Sequence, residues 1–140
     1  MFKTIMIPVD VAMREDAAAL LKAARELAAP WGATCHVVTV VPNVGMAIVG
    51  SYMDDGFEAR GKAEATRALK QVCADAGIEA EQHVVTGTVY DQVITHAKSL
   101  GADLIVIGAH QPELKDYLLG SNAARVVRHS EQSVLVIRGS

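Results

Sequence analysis

The residues with the most chemistry in their types and spacing lie in the run GAHQPELKDYLLGSNA, Gly108 to Ala123. It leaves an apolar segment through Gly108, crosses a polar stretch holding Pro112, and enters a second apolar segment through Gly120, Ser121 and Asn122. A helix that starts there exposes unpaired backbone N–H groups and the positive end of its dipole, an arrangement that receives a phosphate. Ser121 adds a hydroxyl, while Gly108 and Gly120 let a ligand approach the backbone without a Cβ in the way. The same residues also suit a plain helix cap and two chain turns, and spacing alone favours that simpler role. Asp10, which ends the first apolar run, is the carboxylate that joins them if the two ends of the chain meet; its competing role is to cap the helix that follows.

Whether they meet depends on the elements that carry them. Thr4 to Val9 is a short apolar run, and Ala17, Leu20, Leu21, Ala24, Leu27 and Ala28 then repeat at helical spacing until Pro30 and Gly32. Ala33 to Val41 is rich in β-branched residues and stops at Pro42. A second helix spans about Glu58 to Ala76, with Ala65, Leu69, Val72, Cys73 and Ala76 on one face and Gly77 as its stop; Glu81 to Val85 is a weaker strand. Thr88 and Asp91 have capping-box spacing before a helix that buries Val89, Val93, Ile94, Ala97 and Leu100 and ends at Gly101. Asp103 to Ile107 reads as a central strand buried on both faces, a last helix runs from Gly120 or Ser121 to about His129, and Val134 to Ile137 is the final strand.

Strict β-α alternation implies right-handed crossovers and a parallel sheet with helices on both faces. The predicted fold is a single-domain, doubly wound α/β sheet of five parallel strands over residues 1–140. Ligands in such sheets bind outside the carboxyl ends of the strands, where strand order reverses. That rule collects Pro8, Val9 and Asp10, the segment Thr39 to Pro42, and Gly108 to Ala123 into one crevice.

Composition removes other classes. The chain has 140 residues, 51% apolar and 21% charged, with a formal charge of -3. These values fit one folded core and give no electrostatic reason to expect nucleic acid. No apolar run approaches the roughly 20 residues of a membrane helix, and the start MFKTIMIPVD lacks a signal-peptide cleavage site, so a cytoplasmic, membrane-free protein is expected. Cys35 and Cys73 match no zinc or redox spacing and read as reduced core thiols. There is no GxxxxGK[ST] and no GxGxxG. The five histidines, His36, His83, His96, His110 and His129, show no short metal-ligand spacing and read as surface or satisfied histidines. Ser121 and His129 invite a nucleophile and base, but eight helical residues hold them about 12 Å apart along the axis.

Four features together, Pro8-Val9-Asp10, Thr39-Val40-Val41-Pro42, the Gly108 loop leading to Gly120-Ser121, and Ser133 to Ile137, resemble the universal stress protein family over essentially the whole chain. Tyr117 to Arg138 is the most specific part and is similar to the F- and G-type bacterial members. The resemblance implies a Rossmann-like fold with strand order 3-2-1-4-5, ATP or another adenine nucleotide as ligand with Mg as an accompanying ion, frequent homodimers, and a role as a binding or signalling module in stress physiology. In nucleotide-binding members the pattern is G-x-x-G-x9-G-[ST]. Carried over, Gly108 lies against ribose and phosphates, Gly120 and Ser121 hold phosphate oxygens, and Asn122 and Ala123 offer the next amides. Asp10 stands near metal and phosphates, Val40 pairs its backbone with the adenine edge, and Pro8 and Val9 wall the adenine pocket.

One position departs from that pattern. Gln111 stands where the second glycine belongs, and eight residues, Pro112 to Leu119, separate it from Gly120. Pro112 has no amide hydrogen, so the loop loses an anion donor. His110 is a replacement donor to ribose or phosphate or, alternatively, a solvent-facing loop residue. Two rival functions follow: a member that has lost nucleotide and works through protein contacts, its partner unnamed by the sequence, and a slow ATPase using Asp10 and a divalent metal. No catalytic residue is assigned, since no arginine finger, P-loop lysine or water-positioning base is recognisable. Asn43 to Phe57, apolar and glycine-rich, reads as a lid over the adenine, a partner surface or a simple long connection. If Val134 to Ile137 is a sheet edge, pairing two edges about a two-fold axis would cover it and give a homodimer.

Overall fold

The structure, a computed structural model, describes residues 1–42, 55–109 and 120–138. Among the described residues nine main elements alternate: β1 (Thr4–Pro8), α1 (Arg14–Ala28), β2 (Thr34–Val41), α2 (Asp55–Ala76), β3 (Glu81–Thr86), α3 (Val89–Leu100), β4 (Leu104–Gly108), α4 (Ser121–His129) and β5 (Ser133–Ile137). The strands form one sheet in the order β3-β2-β1-β4-β5, and every neighbouring pair is parallel. The expected doubly wound sheet, with its strand order, is the observed one.

Each β-rich run becomes a strand because its alternate residues feed two different cores. Ile5, Ile7, Cys35, Val37, Leu104 and Val106 pack with Leu20, Leu21, Leu69 and Val72 of α1 and α2. The intervening residues Met6, Val38, Ile105 and Ile107 pack with Val93, Ala97, Ala123 and Val126 of α3 and α4. Period-two side chains on strands and 3.6-residue spacing on helices thus meet in two apolar layers. Cys35 and Cys73 are free and buried in the first of them, and burial pushes both thiols above their ordinary values.

Local signals differ in how they act. Gly32, Gly77 and Gly101 adopt left-handed backbone (φ 59°, 66° and 68°) just after helical segments, the conformation that ends a helix at low cost only for glycine. The capping box at Thr88 does not form. Thr88 is the N-cap of α3 with extended backbone, but its side chain makes no capping bond, and the helix starts on the main-chain bond from Gln92 N–H to the Thr88 carbonyl at 3.0 Å. Asp10 is not the cap of α1 either. That helix begins at Arg14 with Met13 as N-cap, and Asp10 instead accepts the Ala12 amide through Oδ1 at 2.9 Å, closing a side-chain turn at the end of β1.

A carboxylate ties the opposite end of the sheet. Asp103, just before β4, accepts the backbone N–H groups of Lys3 (3.0 Å) and Thr4 (3.0 Å) and so fastens β4 to the start of β1. Desolvation pushes its carboxyl upward, but the amides of Lys3, Thr4 and Asp103 itself outweigh that and hold it below the usual value.

Candidate functional site

Strands β1, β2 and β3 succeed one another in one direction across the sheet, and β4 then crosses back to the far side of β1. The reversal lies between β1 and β4, where the chains leaving their carboxyl ends diverge and open a crevice. A cavity of about 710 Å³ occupies that position. It is lined at the end of β1 by Pro8, Val9 and Asp10, beyond β2 by Val40 and Pro42, at the end of β4 by Ile107 and Gly108, and by Gly120, Ser121, Asn122 and Ala123 at the start of α4.

Nine of the residues singled out from the sequence therefore surround one cavity: Pro8, Val9, Asp10, Val40, Gly108, Gly120, Ser121, Asn122 and Ala123. His110 and Gln111 lie outside the described residues, as do 43–54 of the apolar, glycine-rich segment between β2 and α2. Pro8 and Val9 are buried, Val40 is half-buried, and Asp10 is exposed. The wall thus passes from apolar at β1 and β2 to polar at α4.

The start of α4 has a geometry that can receive an anion. Gly120 is its N-cap, with extended backbone (φ -68°, ψ 161°) and no side-chain capping bond. The Gly120 carbonyl accepts the Ala124 amide at 2.9 Å, which starts the helix and leaves the preceding amides outside its ladder. No acidic residue occupies the first turn, and Arg128 and His129 sit in the last, so the charge pattern supports the dipole at both ends. Gly120 itself is buried. Gly108 is less constrained: a Cβ built there meets Leu20 Cδ2 at 3.8 Å, ordinary contact, so packing does not require glycine at this position.

Sequence reasoning missed part of the wall. Met13, Asp16, Ala17 and Leu20 come from the first turns of α1, Val89 from α3, and Ile137 and Arg138 from the end of β5. Arg138 was the most findable, since a basic residue directly after the last strand of a parallel sheet stands beside the crevice by topology. Among the described lining residues the charged ones are Asp10, Asp16 and Arg138. Asp10 can contribute to a cation site: its Oδ1 is engaged by Ala12, and Oδ2 makes no hydrogen bond among the described residues. A carboxylate oxygen on the cavity wall is a ligand of the kind Mg²⁺ takes, since that ion is usually held by one or two carboxylates together with phosphates of a bound molecule.

Three of the histidines, read from the sequence as surface or satisfied residues, meet one another across β2, β3 and α3. His36 of β2 and His83 of β3 form a hydrogen bond, Glu81 lies against the same His36 nitrogen, and the His96 ring packs edge-on to His83. This group belongs to the amino-terminal part of β2, away from the crevice-lining residues at the strand ends.

The fold and crevice define a Rossmann-like α/β protein with a ligand cavity at its switch point. The chain belongs to the universal stress protein family, whose sequence model it matches over residues 1–138. It is 36% identical over 143 residues to universal stress protein G of Escherichia coli O157:H7, covering 99% of this chain and 100% of that protein. A universal stress protein solved in complex with cAMP superposes with a TM-score of 0.72 at 22% identity, covering 99% of this chain and 98% of the other. The universal stress protein from Archaeoglobus fulgidus solved in complex with dAMP superposes with a TM-score of 0.65 at 25% identity, covering 96% and 97% of the two chains. No helix among the described residues is long and apolar enough to cross a membrane.

Proposed function

We propose that the protein binds an adenine nucleotide, ATP or a shorter homologue, in the cavity between β1 and β4 and acts as a nucleotide-dependent binding module in the stress response. The observation that carries this reading is the convergence of the α4 N-terminus with the ends of β1, β2 and β4 on one cavity. Its volume lies within the range of about 300–1,000 Å³ common for ligand sites. In this reading the base lies against Pro8, Val9 and Val40, and the Val40 main chain pairs with the adenine edge. The phosphates lie over Gly120, Ser121, Asn122 and Ala123, where amides and dipole offset their charge. Gly108 lines the passage between the two halves.

Arg138 supplies a cation to this wall, and Asp10 holds Mg²⁺ when a di- or triphosphate brings the ion with it. An AMP-type ligand in a family member of the same fold supports the adenine specificity. Two molecules pair through their β5 edges in the proposed assembly. That edge strand carries half-buried Val134, Val136 and Ile137 and an exposed Leu135, an apolar edge of the kind that proteins otherwise cover.

The direct test is to denature freshly purified protein and identify released small molecules by absorbance and mass spectrometry. The expected outcome is adenine nucleotide at a substantial fraction of the protein concentration, or its uptake on incubation with ATP. Protein that is free of nucleotide and takes none up would favour a member that works by protein contacts alone.

A further inference from the structure

We propose that His36, Glu81 and His83 form a binding site for a first-row divalent cation of the zinc class, separate from the nucleotide crevice. The site is built by strand register. In the parallel β2–β3 pair, His36 aligns with Glu81 and Val38 aligns with His83. Residues two apart on a strand share a face, and aligned residues of neighbouring strands share it too, so all three side chains leave the sheet on the same side. That side is the one carrying Val38 and the α3 core, where His96 of α3 covers the group.

The donor atoms converge closely. His36 Nδ1 lies 3.0 Å from His83 Nε2 and 3.1 Å from Glu81 Oε2, and the three ligand atoms all fall within 4.8 Å of one another. Ligands bound tetrahedrally to Zn²⁺ at 2.0–2.1 Å are separated by about 3.3 Å, so two of the three edges are within a few tenths of an ångström of a coordination polyhedron. A proton serves this arrangement less well. A hydrogen on His36 Nδ1 would face two acceptors at nearly equal distance, and a hydrogen on His83 Nε2 would leave the His36 Nδ1 lone pair against the Glu81 carboxylate, whereas a cation takes a lone pair from each of the three atoms.

His36 is 10% exposed and Glu81 68% exposed, so the site has an inner imidazole wall and an open carboxylate side through which an ion enters. His96 Nε2 is buried with no hydrogen-bond partner among the described residues. Two imidazoles and one carboxylate match the donor preferences of Zn²⁺ and its first-row neighbours better than those of Mg²⁺ or Ca²⁺. Bound there, the ion would join edge strand β3 to β2.

The test uses the full, untagged chain stripped with a chelator and titrated with Zn²⁺ by calorimetry and with Co²⁺ by visible absorption. Wild type is expected to bind one ion per chain, to show the intense d–d bands of a low-coordinate Co²⁺ site, and to melt at a higher temperature with Zn²⁺. Glu81→Gln and His83→Gln should each weaken binding by roughly tenfold or more. Glu81 is exposed, so its variant keeps the metal-free melting temperature and remains informative even if His83→Gln folds poorly. Absence of Zn²⁺ uptake by wild type, or uptake that survives unchanged in Glu81→Gln, overturns the proposal.

Discussion

At the scale of single residues, Asp10 and Asp103 show how carboxylates in similar sequence settings acquire different work. Asp10 follows β1 at the carboxyl ends of the strands, keeps one oxygen outside its local turn, and lines the same cavity as the α4 N-terminus. Its part in the proposed site predicts a selective loss: Asp10→Ala should abolish the increase in ATP affinity produced by Mg²⁺ while leaving AMP binding near wild type, measured by titration with and without the ion. Equal Mg²⁺ enhancement in the variant would remove Asp10 from cation binding. Asp103 stands at the opposite end and accepts the Lys3 and Thr4 amides. Its folded-state value is lowered, so its contribution to stability is present above the unfolded value of about 3.9 and is lost as pH falls through the folded value. Asp103→Asn should therefore cost about 1 kcal/mol at pH 7, a figure discounted for solvent screening. The difference from wild type should shrink in melts taken from about pH 5 downward. A constant difference across that range would show that the charge is not what matters.

Elements were legible to the degree that one physical signal determined them. Continuous β-branched runs and 3.6-residue repeats located the strands and helices, because both cores are built from those periods. The stops at Gly32, Gly77 and Gly101 were legible because left-handed backbone selects glycine. The capping box at Thr88 failed because main-chain bonding alone starts α3, and nothing in a four-residue spacing says which rotamer Thr88 takes. The histidine cluster was illegible for a different reason. His36 and His83 are 47 positions apart and meet only through the β2–β3 register, which no short-range spacing encodes. Edge strand β5 carries the element-scale prediction. Leu135, 37% exposed on that edge, should lie within the proposed two-fold contact, so Leu135→Glu should shift a wild-type dimer toward monomer in sedimentation velocity. A variant that sediments with wild type would place any self-association elsewhere.

At the scale of the whole molecule, the crevice is a consequence of topology. The order β3-β2-β1-β4-β5 sends the chains after β1 and β4 apart, and residues from the two ends of the sequence, Asp10 and Arg138, come to face one cavity. Most of the candidate site was legible because the ends of parallel strands are where such sheets present ligands, and Gly120-Ser121 marks a helix start beside them. The α1 wall and Arg138 were not, since their place depends on how the helices pack and not on a motif. The most direct test of the account is calorimetric titration of nucleotide-free protein with ATP and with AMP, comparing wild type and Gly120→Val. The Gly120 backbone is one that any residue adopts, so the variant tests the space above the α4 amides with little backbone strain. Wild type is expected to bind at least one of the nucleotides in the micromolar range, with Gly120→Val weaker by about tenfold or more, equivalent to about 1.4 kcal/mol. No binding of either nucleotide to wild type at millimolar concentration, or equal binding by the folded variant, would contradict the account.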